Sequence, residues 1–379
     1  MLKSVRISNA FLSSTDSDIV IDFMSCFGSN FEHSLGLFKL SNGSLSATNF
    51  NISCSNGPVL LLNNVVSILK HFYLFHLQSP SAIVTISSNV SISNFSIFHS
   101  DVDVLFLSDN SDIYIEDFSC DDSKSLSLFN GSFSFINLHS ISILNLSSSH
   151  VFVTFESVMN LNDVRISSSL LTSGVMVTVS SNVTIQSSEL SLLNQNFQYL
   201  TNLNENYLFD FSGGSLFIES SDFGHLYSNL FNFHSTNLNI HTVQISNFFG
   251  SFVFSVFDSY FDLFSLTVTN CTADLFMTCH HCNGTVNNFL VENSFITSLF
   301  LLNYGSVYLN STYFRQVTAH KVFGIYSSNM TIDCLREDVL QLYDYLLYSE
   351  FSTVRLSSIS LSGVRDVLYP FFSLTTRIS

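Results

Sequence analysis

The sequence predicts an all-β chain wound as a parallel β-helix, and three observations carry that expectation. Short apolar runs recur about every 22 to 25 residues, and a fixed period in that range is the signature of a solenoid. Turn-forming residues follow each run at the same stage. After the turn comes an apolar-x-apolar step, the period-two alternation of a strand. Val, Ile, Phe, Tyr and Thr are plentiful while Ala, Glu and Lys are scarce, which also favours strand.

Taken in order, the runs open near Leu37, Val59, Ala82, Val104, Leu126, Val151, Val175, Tyr207, Leu230, Phe252, Leu275, Leu299, Val322, Tyr345 and Val367, giving about 14 coils. The interval from Val175 to Tyr207 is long, and its excess falls in Leu193–Asn206, read as a loop pushed out of one coil. The expected turns are Asn42-Gly43-Ser44, Asn89, Asn110-Ser111, Asn130-Gly131-Ser132, Asn182, Gly213-Gly214-Ser215, Asn237, Gly284, Gly305 and Asn329. Gly and Asn tolerate the left-handed conformation of a tight turn. The strand steps include Val90-x-Ile92, Ile113-x-Ile115, Leu216-x-Ile218, Leu238-x-Ile240 and Val307-x-Leu309. Phe50, Phe95, Phe118, Phe223 and Phe314 fall a few residues past such steps and are expected to stack as one core ladder. A leucine-rich repeat has a similar period, but after Leu138, Ile141 and Ile143 the chain has Leu146 where that pattern wants Asn.

Two short motifs add a resemblance. Gly213-Gly214-Ser215-Leu216 approaches a G-G-A-[IL] step, and Phe27-Gly28-Ser29-Asn30 matches an F-x-x-N step. On these residues the chain resembles the right-handed parallel β-helix, or pectin-lyase-like, superfamily, and within it the polymorphic outer membrane protein-like repeats of surface proteins. The resemblance implies a right-handed helix and a cell-surface or secreted rod, adhesive in some members and a polysaccharide enzyme in others. The continuous repeat argues for one elongated domain over residues 1–379. Val5-x-Ile7 at the start and Val367 to Ser379 at the end read as parts of coils without caps, so a longer parent chain is expected.

Composition narrows the partners. A net charge of −17 with only 11% charged residues lacks the basic stripe that nucleic acid requires. Apolar runs are broken by Ser and Asn well short of a membrane-spanning helix. Eleven N-x-[ST] sites, Asn283 and Asn329 among them, suggest a secreted glycoprotein, although Asn, Ser and Thr are abundant enough to generate nearly as many by composition.

Candidate sites are few. Seven Cys at irregular spacing imply no disulfide framework. Cys279-His280-His281-Cys282 has metal-ligand spacing but no second pair to complete a zinc site; a local disulfide ranks somewhat above zinc, and ordinary buried or surface residues rank above both. The acidic stretch from Asp101 to Asp122 is the calcium candidate, through Asp101, Asp103, Asp121 and Asp122. Asp101 and Asp122 fall near the same stage of consecutive coils, and close carboxylates share a cation or stay in water. Hydrolases of this fold pair Asp residues with His and basic elements. Here Asp121-Asp122 and Gly224-His225 lie some four coils apart, and no Arg-x-Lys step is present. The expected function is therefore a non-catalytic surface or secreted rod for adhesion, glycan contact or spacing, its partners glycans or surface proteins. The alternative is a polysaccharide lyase or glycoside hydrolase on the same scaffold.

Overall fold

The computed structural model describes residues 12–27, 37–53, 57–191 and 207–361, with residue 364 and short strand fragments at 2–3, 6–7, 30–31, 371–374 and 377–378. The chain is all-β, its parallel strands forming a β-solenoid of about 14 turns. It divides into two compact units, Met1–Thr184 and Ile185–Ser379. In the first, Asp101–Asp109 pairs in parallel with Gln78–Ile86 on one side and Lys124–Ser132 on the other. In the second, Ser306–Tyr326 pairs in the same way with Asn283–Asn303 and Asn329–Glu350. The expected loop Leu193–Asn206 and most of both chain ends lie outside the described residues.

Each coil is a triangle of three faces meeting at left-handed corners. One coil of the first unit turns at Ser87, Asn94 and His99, with φ of 47°, 53° and 48°. Among the described residues 39 non-glycine positions hold such a positive φ, and 26 of them are Asn, Asp or Ser. Short polar side chains can hydrogen-bond locally and so bear a conformation that other L-residues avoid. Glycine is thus not what marks a corner. Asn130-Gly131-Ser132 lies inside the strand Lys124–Ser132, and Gly284 inside Asn283–Asn303; the adjoining corners are Phe133 and His281. Asn89, Asn237 and Asn329 each begin a strand two residues after the corner at Ser87, Ser235 or Ser327, and Asn182 lies within Met176–Gln186, two residues after the corner at Ser180. Gly213 and Gly214, with φ of 75° and 83°, do form a turn as expected.

A left-handed corner directs the next N–H into the interior, where it needs an acceptor. At two of the three corners of a coil, as after Ser87 and His99, buried serine hydroxyls supply it. The N–H groups of Ser88, Ser111 and Ser134 donate to Oγ of Ser111, Ser134 and Ser157, one coil on, at 3.1, 3.3 and 3.1 Å. Each hydroxyl in turn donates to the carbonyl two residues back, as from Ser111 to Asp109 at 2.8 Å. The second unit repeats the device from Thr236 to Ser259 and from Ser328 to Ser352. At Leu340 the buried Glu337 carboxylate takes the N–H instead, at 3.1 Å, which accounts for an acidic side chain in a core column.

Inward columns form the core. Phe50, Phe72, Phe95 and Phe118 stack with ring centroids 5.1 to 5.3 Å apart. Each buried ring contributes about 1.5–3 kcal/mol through area alone. Phe223 and Phe314, expected in an equivalent ladder, stand two residues further along the strand, in a column with Ile245, Val268 and Val291. The apolar openings shift as well: the inward column of the first unit runs through Ala82, Leu105, Leu128 and Val151, whereas Leu126 is exposed. Apolarity alone does not reveal which phase of the pleat faces in.

Replacing Ser111 with Ala leaves the Ser88 N–H buried and unpaired. The expected loss is about 1–3 kcal/mol in urea unfolding, whereas Ser91→Ala, on the outward face, stays within about 0.5 kcal/mol of the parent.

Candidate functional site

With the interior committed to packing, chemistry is left to the outward residues. The clearest concentration lies on the face that follows the Ser235, Asp258, His281 and Tyr304 corners in the second unit. Alternation sends every second residue outward, and parallel register sets equivalent residues about 4.8 Å apart in columns. The first column reads Ser215, Asn237, Tyr260, Asn283, Ser306 and Asn329. The second reads Phe217, Asn239, Asp262, Thr285 and Tyr308, and the third Glu219, His241, Phe264, Asn287 and Asn310.

Aromatic rings gather at one end of this face. The His241 ring lies 5.5 Å from Phe217 and 6.0 Å from Phe264, and Tyr260 is 51% exposed beside them. Polar groups around the rings are already oriented. The Thr285 hydroxyl donates to Asp262, Gln186 Nε2 to Glu219 at 3.1 Å, and Asn310 Nδ2 to Asn287 at 3.4 Å. Ring faces beside fixed amides and carboxylates can take a polyhydroxylated ligand: apolar C–H faces stack while hydroxyls find donors and acceptors. The sequence carried a signal for this in the middle residue of the steps Leu216-x-Ile218 and Val307-x-Leu309, which is aromatic where polarity is the rule.

The acidic stretch is arranged differently from expectation. Asp101 stands opposite Gln78 and Lys124, and Asp121 opposite Phe98 and Leu144. Asp122 is a corner residue whose carboxylate lies 3.7 Å from His99 Nδ1. Asp101 and Asp122 are thus two positions out of step and do not stack; Asp103 is exposed one step along from Val102, itself opposite Ser125. Among the described residues no three His, Cys, Asp or Glu side chains converge as a metal group.

The Cys-His-His-Cys stretch divides at its corner. Cys279 and Cys282 point inward and are joined by a disulfide, while His280 and His281 point outward. Strand alternation on one side and the His281 corner on the other separate sulfur from imidazole, so the four do not share an ion. His281 Nδ1 lies 3.4 Å from Asp258, which His234 approaches from the preceding coil at 3.8 Å. An open concavity of about 650 Å³ elsewhere in this unit is edged by Tyr313, Cys334, Arg336 and Asp338.

No protein-family model, curated protein or solved structure matches the chain. No helix of the described residues is long and apolar enough to cross a membrane.

The thiols give a direct check on burial. Desolvation pushes Cys120 up to about 12 and Cys271 up to about 11, while Cys334 is half-exposed. The thiolate is the reactive form. Iodoacetamide at pH 8 is therefore expected to mark Cys334 and to spare Cys120 and Cys271 until denaturant is added, as read by peptide mass. Because folding raises these two pKa values, their contribution to stability is intact below the ordinary thiol range. It falls away as pH climbs from there towards about 11 to 12.

Proposed function

We propose that this chain is a non-catalytic, secreted or cell-surface β-helix of the pectin-lyase-like kind that contacts glycans through the outward face bearing Phe217, His241, Tyr260 and Phe264. The observation that carries this reading is the ring cluster set among columns of amide, hydroxyl and carboxylate groups. An extended glycan laid along the columns would meet three outward side chains at each coil, rings at one end and mostly polar groups beyond. Several weak interactions then add through repetition, the physical basis of adhesion by a flat surface.

Two further observations support placement outside the cell. The Cys279–Cys282 disulfide is of a kind that persists in oxidising compartments. The sites at Asn89, Asn182, Asn283 and Asn329 all occur two residues after a corner, and each Asn is exposed. Alternation puts the Asn and the Ser or Thr two residues on along one outward edge, which explains why the pattern recurs and leaves each site accessible.

The experiment is retention of the purified chain on a panel of neutral and acidic polysaccharides, with new chain ends assayed in parallel. Retention without new ends is the expected result. Replacing Tyr260 and Phe264 together by Ala is expected to weaken retention about tenfold, equivalent to about 1.4 kcal/mol. New chain ends would favour a lyase or hydrolase, and neither retention nor cleavage would leave a spacer; both results overturn the glycan reading.

A further inference from the structure

A second aromatic surface lies on a different face of the second unit and carries a different chemistry. Phe295, His320 and Tyr343 form one row, with centroids 6.4 and 5.1 Å apart. Beside it Tyr345, Tyr348 and Tyr326 form another, at 5.4 and 5.3 Å. Phe295 and Tyr343 are 42% and 40% exposed, and the remaining tyrosines are half-buried, so the rings are anchored at one edge and open at the other.

A local irregularity builds this surface. Ala319 pairs with Leu342 but Lys321 pairs with Tyr345, so the strand Asn329–Glu350 holds one extra residue there. The bulge interrupts inward–outward alternation, and Tyr343, Asp344 and Tyr345 all escape burial in succession. Gly324 faces Tyr348 across the ladder and contributes no side chain of its own beneath that ring. A Cβ on Gly324 would come within 3.2 Å of Leu301 Cδ1 and 3.6 Å of the Tyr326 ring.

The electrostatics favour a cation. Ring faces carry negative potential. Asp344 borders the cluster, and Glu350 accepts a hydrogen bond from the Tyr348 hydroxyl at 3.0 Å. Burial above all holds the Tyr326 and Tyr345 phenols above their usual range, so they stay neutral. One cation is already present: Lys321 Nζ sits 5.4 Å from the Tyr345 centroid and has no ion-pair partner among the described residues. It shows that the ring accepts an ammonium from its own chain. The chain's charge of −17 adds a long-range attraction for basic partners and a repulsion for anionic ones.

We propose that this tyrosine surface docks an arginine-bearing segment of another protein. Guanidinium is planar and weakly hydrated, stacks on a phenol face and can donate at the same time to an adjacent carboxylate, here Asp344 or Glu350. Tyrosine presents large contact area at small entropic cost, which is why it anchors protein interfaces.

The test is fluorescence anisotropy of the full chain with labelled octa-arginine and octa-lysine, whose charges are equal. Octa-arginine is expected to bind tighter by about threefold or more. Tyr343→Ala with Tyr345→Ala is expected to weaken it about tenfold and to erase the preference without altering net charge. Phe264→Ala, on the glycan-facing columns, should leave the peptide affinity unchanged. Equal binding of the two peptides, parent-like affinity in the double variant, or an equal loss in Phe264→Ala would each overturn the proposal, since each reduces the attraction to bulk charge. Should the double variant melt early, Tyr343→Ala alone, at an exposed ring, is expected to weaken octa-arginine about threefold.

Discussion

The stacking of successive coils depends on one geometric demand, the pairing of N–H groups that left-handed corners turn inward. A parallel coil of three faces must bend sharply three times, and at two of those bends the N–H turned inward finds a serine hydroxyl as its acceptor. A serine one coil on takes that donor and returns its own hydroxyl to the carbonyl before the bend. One side chain thereby closes the corner and fixes the stacking of the next coil. Corner and ladder are not separate features, since each coil's bend is completed by its neighbour. This is why such a coil has no independent stability and why it recurs.

The same demand divides labour between the two sides of the sheet. Inward positions are held by packing, where the Phe50 to Phe118 stack shows rings meeting at nearly the coil spacing. Outward side chains bond from coil to coil at the corners, as Asn64 to Asn42 and Asn110 to Ser87, but along the faces they are not needed to fill the core. The second unit gathers outward rings in two places. Phe217, His241 and Phe264 stand among amides and hydroxyls, a surface suited to sugar. Tyr326, Tyr345 and Tyr348 stand beside carboxylates and over a bulge, a surface suited to a cation. What differs is the polar company the rings keep.

Placement also decides what the charged and sulfur-bearing residues do. Asp101 and Asp122 are 21 positions apart in the chain, close to one coil, yet a two-residue offset puts Lys124 beside the first and His99 beside the second. Cys279 to Cys282 spans four consecutive residues, and a corner between them sends sulfur into the core and imidazole into solvent. In a solenoid, nearness in sequence and nearness in period are both poor guides to contact unless the register is right to the residue.

The sequence by itself determined the class of fold, because a repeat of that length with period-two alternation has few ways to bury its apolar side. It also determined that the core would be phenylalanine-rich and that Phe50, Phe95 and Phe118 would share one ladder. The expected turns at Asn42, Asn110 and Gly213-Gly214 do hold corners, but the tertiary structure decided which residue turns most of the others. Asn, Ser, Asp and even Phe133 can adopt the left-handed conformation once a hydroxyl one coil away satisfies the following N–H, and that partner is some 23 residues distant. It likewise decided the phase of the pleat, moving Leu126 outward and Leu128 inward, and so which aromatic residues are core and which are surface. A period-two pattern looks the same from either side, and only the register with the neighbouring coils tells inside from outside.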